Sequence, residues 1–209
     1  MVITIDGLGV NGKTTLAKRI SNKLGYKNFN TGAIYRCIAL EITNKGLDIK
    51  DIENVISNIK DLKIDFDGNN VILNGEDVSK RIREEDISVN STAWATIPEI
   101  KVLVRKIQKD FIEKHDTVME GRDIGTRIAP NADVKFYLFS DFETRVKRLS
   151  LEEPDVDINA IIENLKVRDD LDINGGNFVK PTDAHEIDTS NKTIDEVYEE
   201  MMNIIKEKI

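Results

Sequence analysis

Gly7-Leu-Gly-Val-Asn-Gly-Lys-Thr14 decides the fold of this chain, because it satisfies the pattern G-x-x-x-x-G-K-[ST] in full. An apolar run, Val2-Ile-Thr-Ile5, precedes it, and Thr15, Leu16, Ala17, Ile20 and Leu24 follow at helical spacing. Strand, loop and helix in that order are the setting in which the pattern binds phosphate. Its glycines let backbone N–H groups turn inward on phosphate oxygens, and the helix N-terminus adds a favourable dipole. Lys13 is expected to reach the β and γ phosphates of a nucleoside triphosphate, and the Thr14 hydroxyl suits a Mg²⁺ ligand.

Composition narrows the setting. The 209 residues suit one α/β domain with small insertions, and 40% hydrophobic residues suffice for a core. No run approaches the ~20 apolar residues of a membrane span. Met1 is followed closely by Asp6 and the loop, so no secretory leader is expected. A single cysteine, Cys37, offers no disulfide framework and suits a reducing cytoplasm. His115 and His185 lack metal-ligand spacing. A formal charge of −8 argues against nucleic-acid and membrane partners, so an anionic substrate has to be held by local arginine and lysine clusters.

Around the loop, strand-like runs fall at 2–5, 117–120, 134–139 and 185–188, with a short one at Lys27-Asn-Phe-Asn30. Helical patterns separate them, as in a parallel sheet covered on both faces. Ile100, Leu103, Val104, Ile107 and Phe111 predict an amphipathic helix over 99–114, with Pro98 at its start. Ser140 with Glu143, and Thr193 with Glu196, have capping-box spacing before helices near 141–153 and 194–208. Residues 62–98 break the alternation: Ile64, Phe66 and Val71-Ile-Leu73 flank the turn signal Asp67-Gly-Asn-Asn70, which predicts a small β-containing insert. Loop-like segments at 152–157 and 172–180 bracket a helix carrying Ile158, Ile161, Ile162 and Leu165, as in a hinged flap.

Three further stretches carry chemistry. Asn30-Thr-Gly-Ala-Ile-Tyr-Arg36 begins where the second strand would end, on the same sheet edge as the loop, and suits an anion clamp. Glu120-Gly-Arg-Asp-Ile-Gly-Thr126 follows the strand Thr117-Val-Met119 and describes a binding loop. There Arg122 can hold phosphate bidentately and Asp123 can accept from a base amine. Arg168-Asp-Asp-Leu-Asp172 closes the flap helix, and Arg145, Lys147 and Arg148 add positive charge at the flap's other end. A closing arginine-bearing flap neutralises charge and excludes water, both of which phosphoryl transfer needs. Each of these stretches also has a plain structural reading as a solvated or salt-bridged surface.

Taken together, these residues resemble the bacterial cytidylate kinases, over nearly the whole chain. The Thr-Gly-Ala-Ile-Tyr-Arg and Gly-Arg-Asp-Ile-Gly-Thr segments carry the resemblance more specifically than the phosphate loop does. It implies a P-loop NTPase three-layer α/β sandwich with a five-stranded parallel sheet, a nucleoside-monophosphate-binding insert and a helical lid. On that pattern one domain, 1–209, divides into a core (1–61, 99–145 and 179–209), an insert (62–98) and a lid (146–178). The implied reaction moves the γ-phosphate of ATP to CMP or dCMP, with Mg²⁺.

By position, Gly7, Leu8, Gly9, Val10, Asn11, Gly12, Lys13, Thr14 and Thr15 would hold ATP, with Arg145 and Arg148, and Thr14 would bind the metal. Thr31, Arg36, Thr92, Lys101, Arg122, Asp123, Arg168 and Asp172 would bind the acceptor, and Lys13, Arg122 and Arg168 would act in catalysis. Several positions depart from the family pattern: Thr92 replaces a serine, Lys101 and Gly175 replace arginines, and Asn30 and Glu120 replace aspartates. The segment Gly175–Pro181 is also shorter. A kinase for another small phosphorylated acceptor, or a nucleotide-binding protein without transfer activity, are the readings to separate from this one. The expectation is a cytoplasmic monomer.

Overall fold

A computed structural model describes residues 1–67, 70–175 and 178–209, less the side chains of Asp67, Ser88 and Thr92. Along the chain run β1 (Val2–Asp6), α1 (Lys13–Leu24), β2 (Lys27–Asn30), α2 (Thr31–Asn44), α3 (Ile52–Ile59), β3 (Ile64–Asp67), β4 (Asn70–Leu73) and β5 (Glu76–Asp77). Then follow α4 (Glu85–Trp94), α5 (Pro98–Ile112), β6 (Thr117–Gly121), β7 (Val134–Phe139), α6 (Phe142–Glu152), α7 (Ile158–Asn174), β8 (His185–Asp188) and α8 (Ile194–Lys206). The main sheet has five strands in the order β2-β6-β1-β7-β8, an α/β architecture as the sequence predicts. β1 pairs in parallel with β6 and β7, and β7 with β8. The chain forms two compact units, residues 1–26 with 116–209, and residues 27–115.

In the first unit the strands are apolar on both faces because helices cover both. Ile3 and Ile5 of β1, Val118 of β6, Phe136 and Leu138 of β7 and Ile187 of β8 pack against Leu16 and Ile20 of α1 and Val197, Met201 and Ile205 of α8. Thr193 begins α8 with the predicted capping box, its side chain and that of Glu196 each bonding the other's backbone N–H. A smaller cluster joins α6 and α7: Val146, Ile161 and Leu165, with Val10, Phe142, Leu149 and Ile162 packed against them. Among the described residues no helix is long and apolar enough to cross a membrane.

The second unit contains β2, α2–α5 and the antiparallel sheet β3-β4-β5. Phe29, Phe66 and Phe111 form a tilted aromatic trio with centroids 4.7 to 5.8 Å apart, bringing β2, β3 and α5 together. The predicted insert holds the expected strands and, in addition, the helix α4. The turn expected at 67–70 falls partly outside the described residues, as does the segment 175–181.

Two local expectations are corrected. Ser140 does not cap α6: Asp141 does, its carboxylate accepting from the Thr144 N–H at 2.6 Å. A carboxylate one position further on suits the positive end of the helix better. The loop expected from residue 172 begins later, because α7 continues through Asn174, whose side chain bonds Asp170 at 2.6 Å. An i,i+4 side-chain bond of this kind adds a few tenths of a kcal/mol, about 0.2–0.5, to the helix at this Asp- and Asn-rich end.

Candidate active site

β1 lies between β6 and β7, so the chain leaving its carboxyl end enters the crevice where ligands of such sheets collect. Gly7 makes the exit at φ +148, and a Cβ there would run into the Leu138 carbonyl oxygen on β7. No other residue fits so close an approach. The loop then folds on itself: Asn11, almost fully buried, donates to the Leu8 carbonyl at 3.2 Å and accepts from Ser140 Oγ at 2.6 Å. Thus Ser140 braces the phosphate loop from the β7–α6 junction.

Lys13 opens α1, is 5% exposed, and donates from Nζ to the Leu8 carbonyl oxygen at 2.6 Å. Burial, and then the nearby Arg122, push its pKa down to about 7. Arg168 adds to that effect and Glu120 opposes it. A Cβ placed on Gly9 would lie 3.6 Å from the Arg168 guanidinium and 3.8 Å from Arg122 Nη2. Three cationic side chains from α1, the turn after β6 and α7 therefore converge on the phosphate loop. Lys13 is buried, Arg122 partly buried and Arg168 exposed, and a bound anion would relieve the repulsion among them.

Thr14 Oγ1 donates to Glu120 Oε1 at 3.1 Å. A hydroxyl on the loop helix beside a carboxylate at the end of the neighbouring strand is an all-oxygen pair that fits Mg²⁺ carried on phosphates. Arg122 Nε is paired with Asp172 Oδ2 at 2.7 Å, both side chains about one-fifth exposed. Asp123 accepts from Arg127 at 3.1 Å. Beside the loop a cavity of about 420 Å³ is lined by Val10, Gly12 and Thr15, with Arg148, Thr189 and Ile194 opposite. Its size suits a nucleoside. Arg148 is fixed by bonds to the Thr189 hydroxyl and carbonyl. Arg145 lies elsewhere, in a bidentate pair with Asp169 at 2.9 and 2.7 Å.

In the second unit, Thr31 starts α2 after Asn30, whose side chain caps the helix at the Ala33 N–H, 3.0 Å away. The buried Gln108 of α5 donates to Thr31 Oγ1 at 3.0 Å. Arg36 is one turn further along α2 and Lys101 is on α5, both partly buried. The Thr92 side chain lies outside the described residues. Sequence reasoning assigns no site role to Asp6, Ser140 or Asp169, and Glu120 enters it only as the first residue of the binding loop Glu120–Thr126. Asp6 carried a signal, as an acid at a strand's carboxyl end immediately before the loop; Ser140 and Asp169 carried none, since their partners are distant in sequence.

A family model described as cytidylate kinase matches residues 3–207. A cytidylate kinase of Clostridium botulinum (strain Okra) is 39% identical over 98% of this chain and 97% of its own length. One from Clostridium tetani is 35% identical, covering 100% of this chain and 95% of its own. Among solved structures, an uncharacterized protein from Eubacterium ventriosum superposes with a TM-score of 0.57 at 14% identity, over 99% of this chain and 98% of that one. A gluconokinase from Sinorhizobium meliloti gives 0.50 at 10% identity, over 97% and 89%. At such identities these likenesses concern the fold alone. The family match spans nearly the whole chain and agrees with a phosphate loop ringed by Lys13, Arg122 and Arg168: the chain belongs to the cytidylate kinase family.

Proposed function

We propose that this protein transfers the γ-phosphate of ATP to CMP or dCMP, giving ADP and CDP or dCDP. The convergence of Lys13, Arg122 and Arg168 on the phosphate loop carries the reading. An acceptor phosphate oxygen forms a bond to the γ phosphorus as the bond to the β–γ bridging oxygen breaks, and the electron pair leaves with ADP. Charge on the moving group is spread over its equatorial oxygens, so positioned cations, rather than a strong base, do the catalytic work. Lys13 and Arg122 fix the phosphates; Arg168 comes from α7 of the lid. The loop Gly7–Thr15 holds the triphosphate, with Arg148 at the nucleoside cavity. Thr14 and Glu120 would hold Mg²⁺, which supplies charge neutralisation at the β and γ oxygens.

For the acceptor, Thr31, Arg36, Thr92, Lys101, Arg122, Asp123, Arg168 and Asp172 are the proposed contacts. We assign the protein to the cytoplasm as a monomer without nucleic-acid or membrane partners. The test is a coupled ADP-release assay with ATP, Mg²⁺ and, in turn, CMP, dCMP, UMP, AMP, GMP and no acceptor. Turnover highest with CMP and dCMP is expected. Turnover with none of them despite ATP binding would overturn the assignment.

A further inference from the structure

β1 ends on Asp6, whose neighbour across the sheet is Gly121, the last residue of β6. Asp6 is fully buried, yet its carboxylate meets no side-chain cation within hydrogen-bond distance among the described residues. Its two oxygens accept from consecutive backbone N–H groups beyond the neighbouring strand: Ile124 at 2.8 Å and Gly125 at 2.7 Å. Those residues open the wide helical turn Ile124–Ile128, which follows directly on Arg122 and Asp123. Asp6 thus clamps both ends of the turn that carries Arg122, by register at Gly121 and by hydrogen bonds at 124 and 125.

The glycines of Gly121-Arg-Asp-Ile-Gly125 make room for this clamp. A Cβ on Gly125 would come within 3.1 Å of Asp6 Oδ2 and 2.9 Å of Thr4 Oγ1, and one on Gly121 within 2.6 Å of Ile124 Cγ1. Either contact would force a neighbouring side chain or the turn to shift. A buried carboxylate is a costly way to hold a loop, and burial raises the Asp6 pKa to about 6, with Asp123 adding to the rise and Lys13 opposing it. An apolar residue would suffice for packing alone. What the carboxylate adds is a fixed, bidentate geometry for the backbone on which Arg122 is mounted.

We infer that Asp6 is a positioning residue for phosphoryl transfer, acting through Arg122 by holding the turn that carries its guanidinium over Gly9. The inference rests on the reading that Arg122 stabilises the transferred phosphoryl group. Displacements of the order of an ångström in such groups lower turnover about a hundredfold.

The experiment compares the wild-type protein with Asp6→Asn, Arg122→Ala and the double variant, measuring kcat and both KM values. Asp6→Asn preserves shape and one acceptor oxygen, whereas Asp6→Ala risks the fold; circular dichroism and thermal melting establish that each variant is folded. The expected result is a kcat about 100-fold lower in Asp6→Asn, with KM for ATP within about threefold of wild type. Adding Asp6→Asn to Arg122→Ala should then change kcat by less than about threefold, because the two act as one unit. A folded Asp6→Asn with wild-type kcat, or effects that multiply in the double variant, would overturn the inference while leaving the role of Arg122 intact. Wild-type kcat in Arg122→Ala would overturn both, and so marks the failure of the underlying reading.

Discussion

Lys13 Nζ donates to the carbonyl oxygen of Leu8 at 2.6 Å, so the cation of the phosphate loop is bonded to the loop itself. Burial and the arginines nearby hold the Lys13 pKa near 7, well below the usual lysine range.

A triphosphate brought against Lys13 favours its ammonium form. At pH 8 the free protein holds Lys13 mostly neutral, so ATP binding should take up close to one proton per site, by the linkage between charge and pKa. Calorimetric titrations in two buffers of different ionisation enthalpy read that number directly. Uptake should shrink as pH falls below 7 and vanish in Lys13→Met. Equal heats in both buffers would mean that Lys13 is already fully charged in the free protein.

Val10 is the strained point of the same loop. It is β-branched and sits at φ +64, a left-handed conformation that such side chains rarely adopt. Strain of this kind costs on the order of 1–3 kcal/mol. Val10 also packs against the Val146, Ile161 and Leu165 cluster, which offsets part of that cost. Val10→Gly relieves the strain but loses the packing and frees the unfolded chain, so its stability to urea should stay within about 1 kcal/mol of wild type, whereas Val10→Ala, which loses packing and keeps most of the strain, should lower it by more. Equal destabilisation by both would place the packing contribution above the strain.

These two residues mark the limits of what the sequence discloses. The phosphate loop, the parallel strands and α8 with its capping box follow from patterns a few residues long, because periodicity and caps are local. The Gly-Arg-Asp loop was visible for the same reason. The brace from Ser140 to Asn11 and the Asp6 clamp join residues 129 and 118 or more positions apart, and no local pattern encodes them. Asp141, not Ser140, caps α6 because two acceptable caps stood side by side and the three-dimensional path of the chain selected one. Similarly, Arg145 reads as a free cation until Asp169 is placed beside it.

The buried Asp6 carboxylate predicts a pH signature in stability. Its folded pKa, about 6, lies above its ordinary value of 3.8, so the native state binds the proton more tightly than the unfolded state. The contribution is therefore fully present below pH 3.8 and is lost as pH rises through 6. Asp6→Asn has no such proton. Its stability relative to wild type should increase by up to about 3 kcal/mol between pH 4 and pH 6.5 and then stay level, as urea unfolding would measure. A difference independent of pH would show that Asp6 is ionised without penalty.

A last test lies in the pair between Arg145 and Asp169, which joins α6 to α7 through two hydrogen bonds of 2.9 and 2.7 Å. Arg145 is 5% exposed, and its Nε has no hydrogen-bond partner among the described residues. Removing the carboxylate strands a buried guanidinium, so Asp169→Ala should cost on the order of 3 kcal/mol. Replacing both partners by apolar residues, Arg145→Met with Asp169→Leu, removes the charge as well as the bond and should recover most of that loss. Because the pair ties α7 to α6, hydrogen exchange should accelerate first along α7 in Asp169→Ala, ahead of the main sheet. The same variants separate a strut from a nucleotide contact. If Arg145 serves only to anchor α7, the double variant should restore KM for ATP along with stability. If KM stays raised while stability returns, Arg145 touches the nucleotide, as its position in the sequence first suggested.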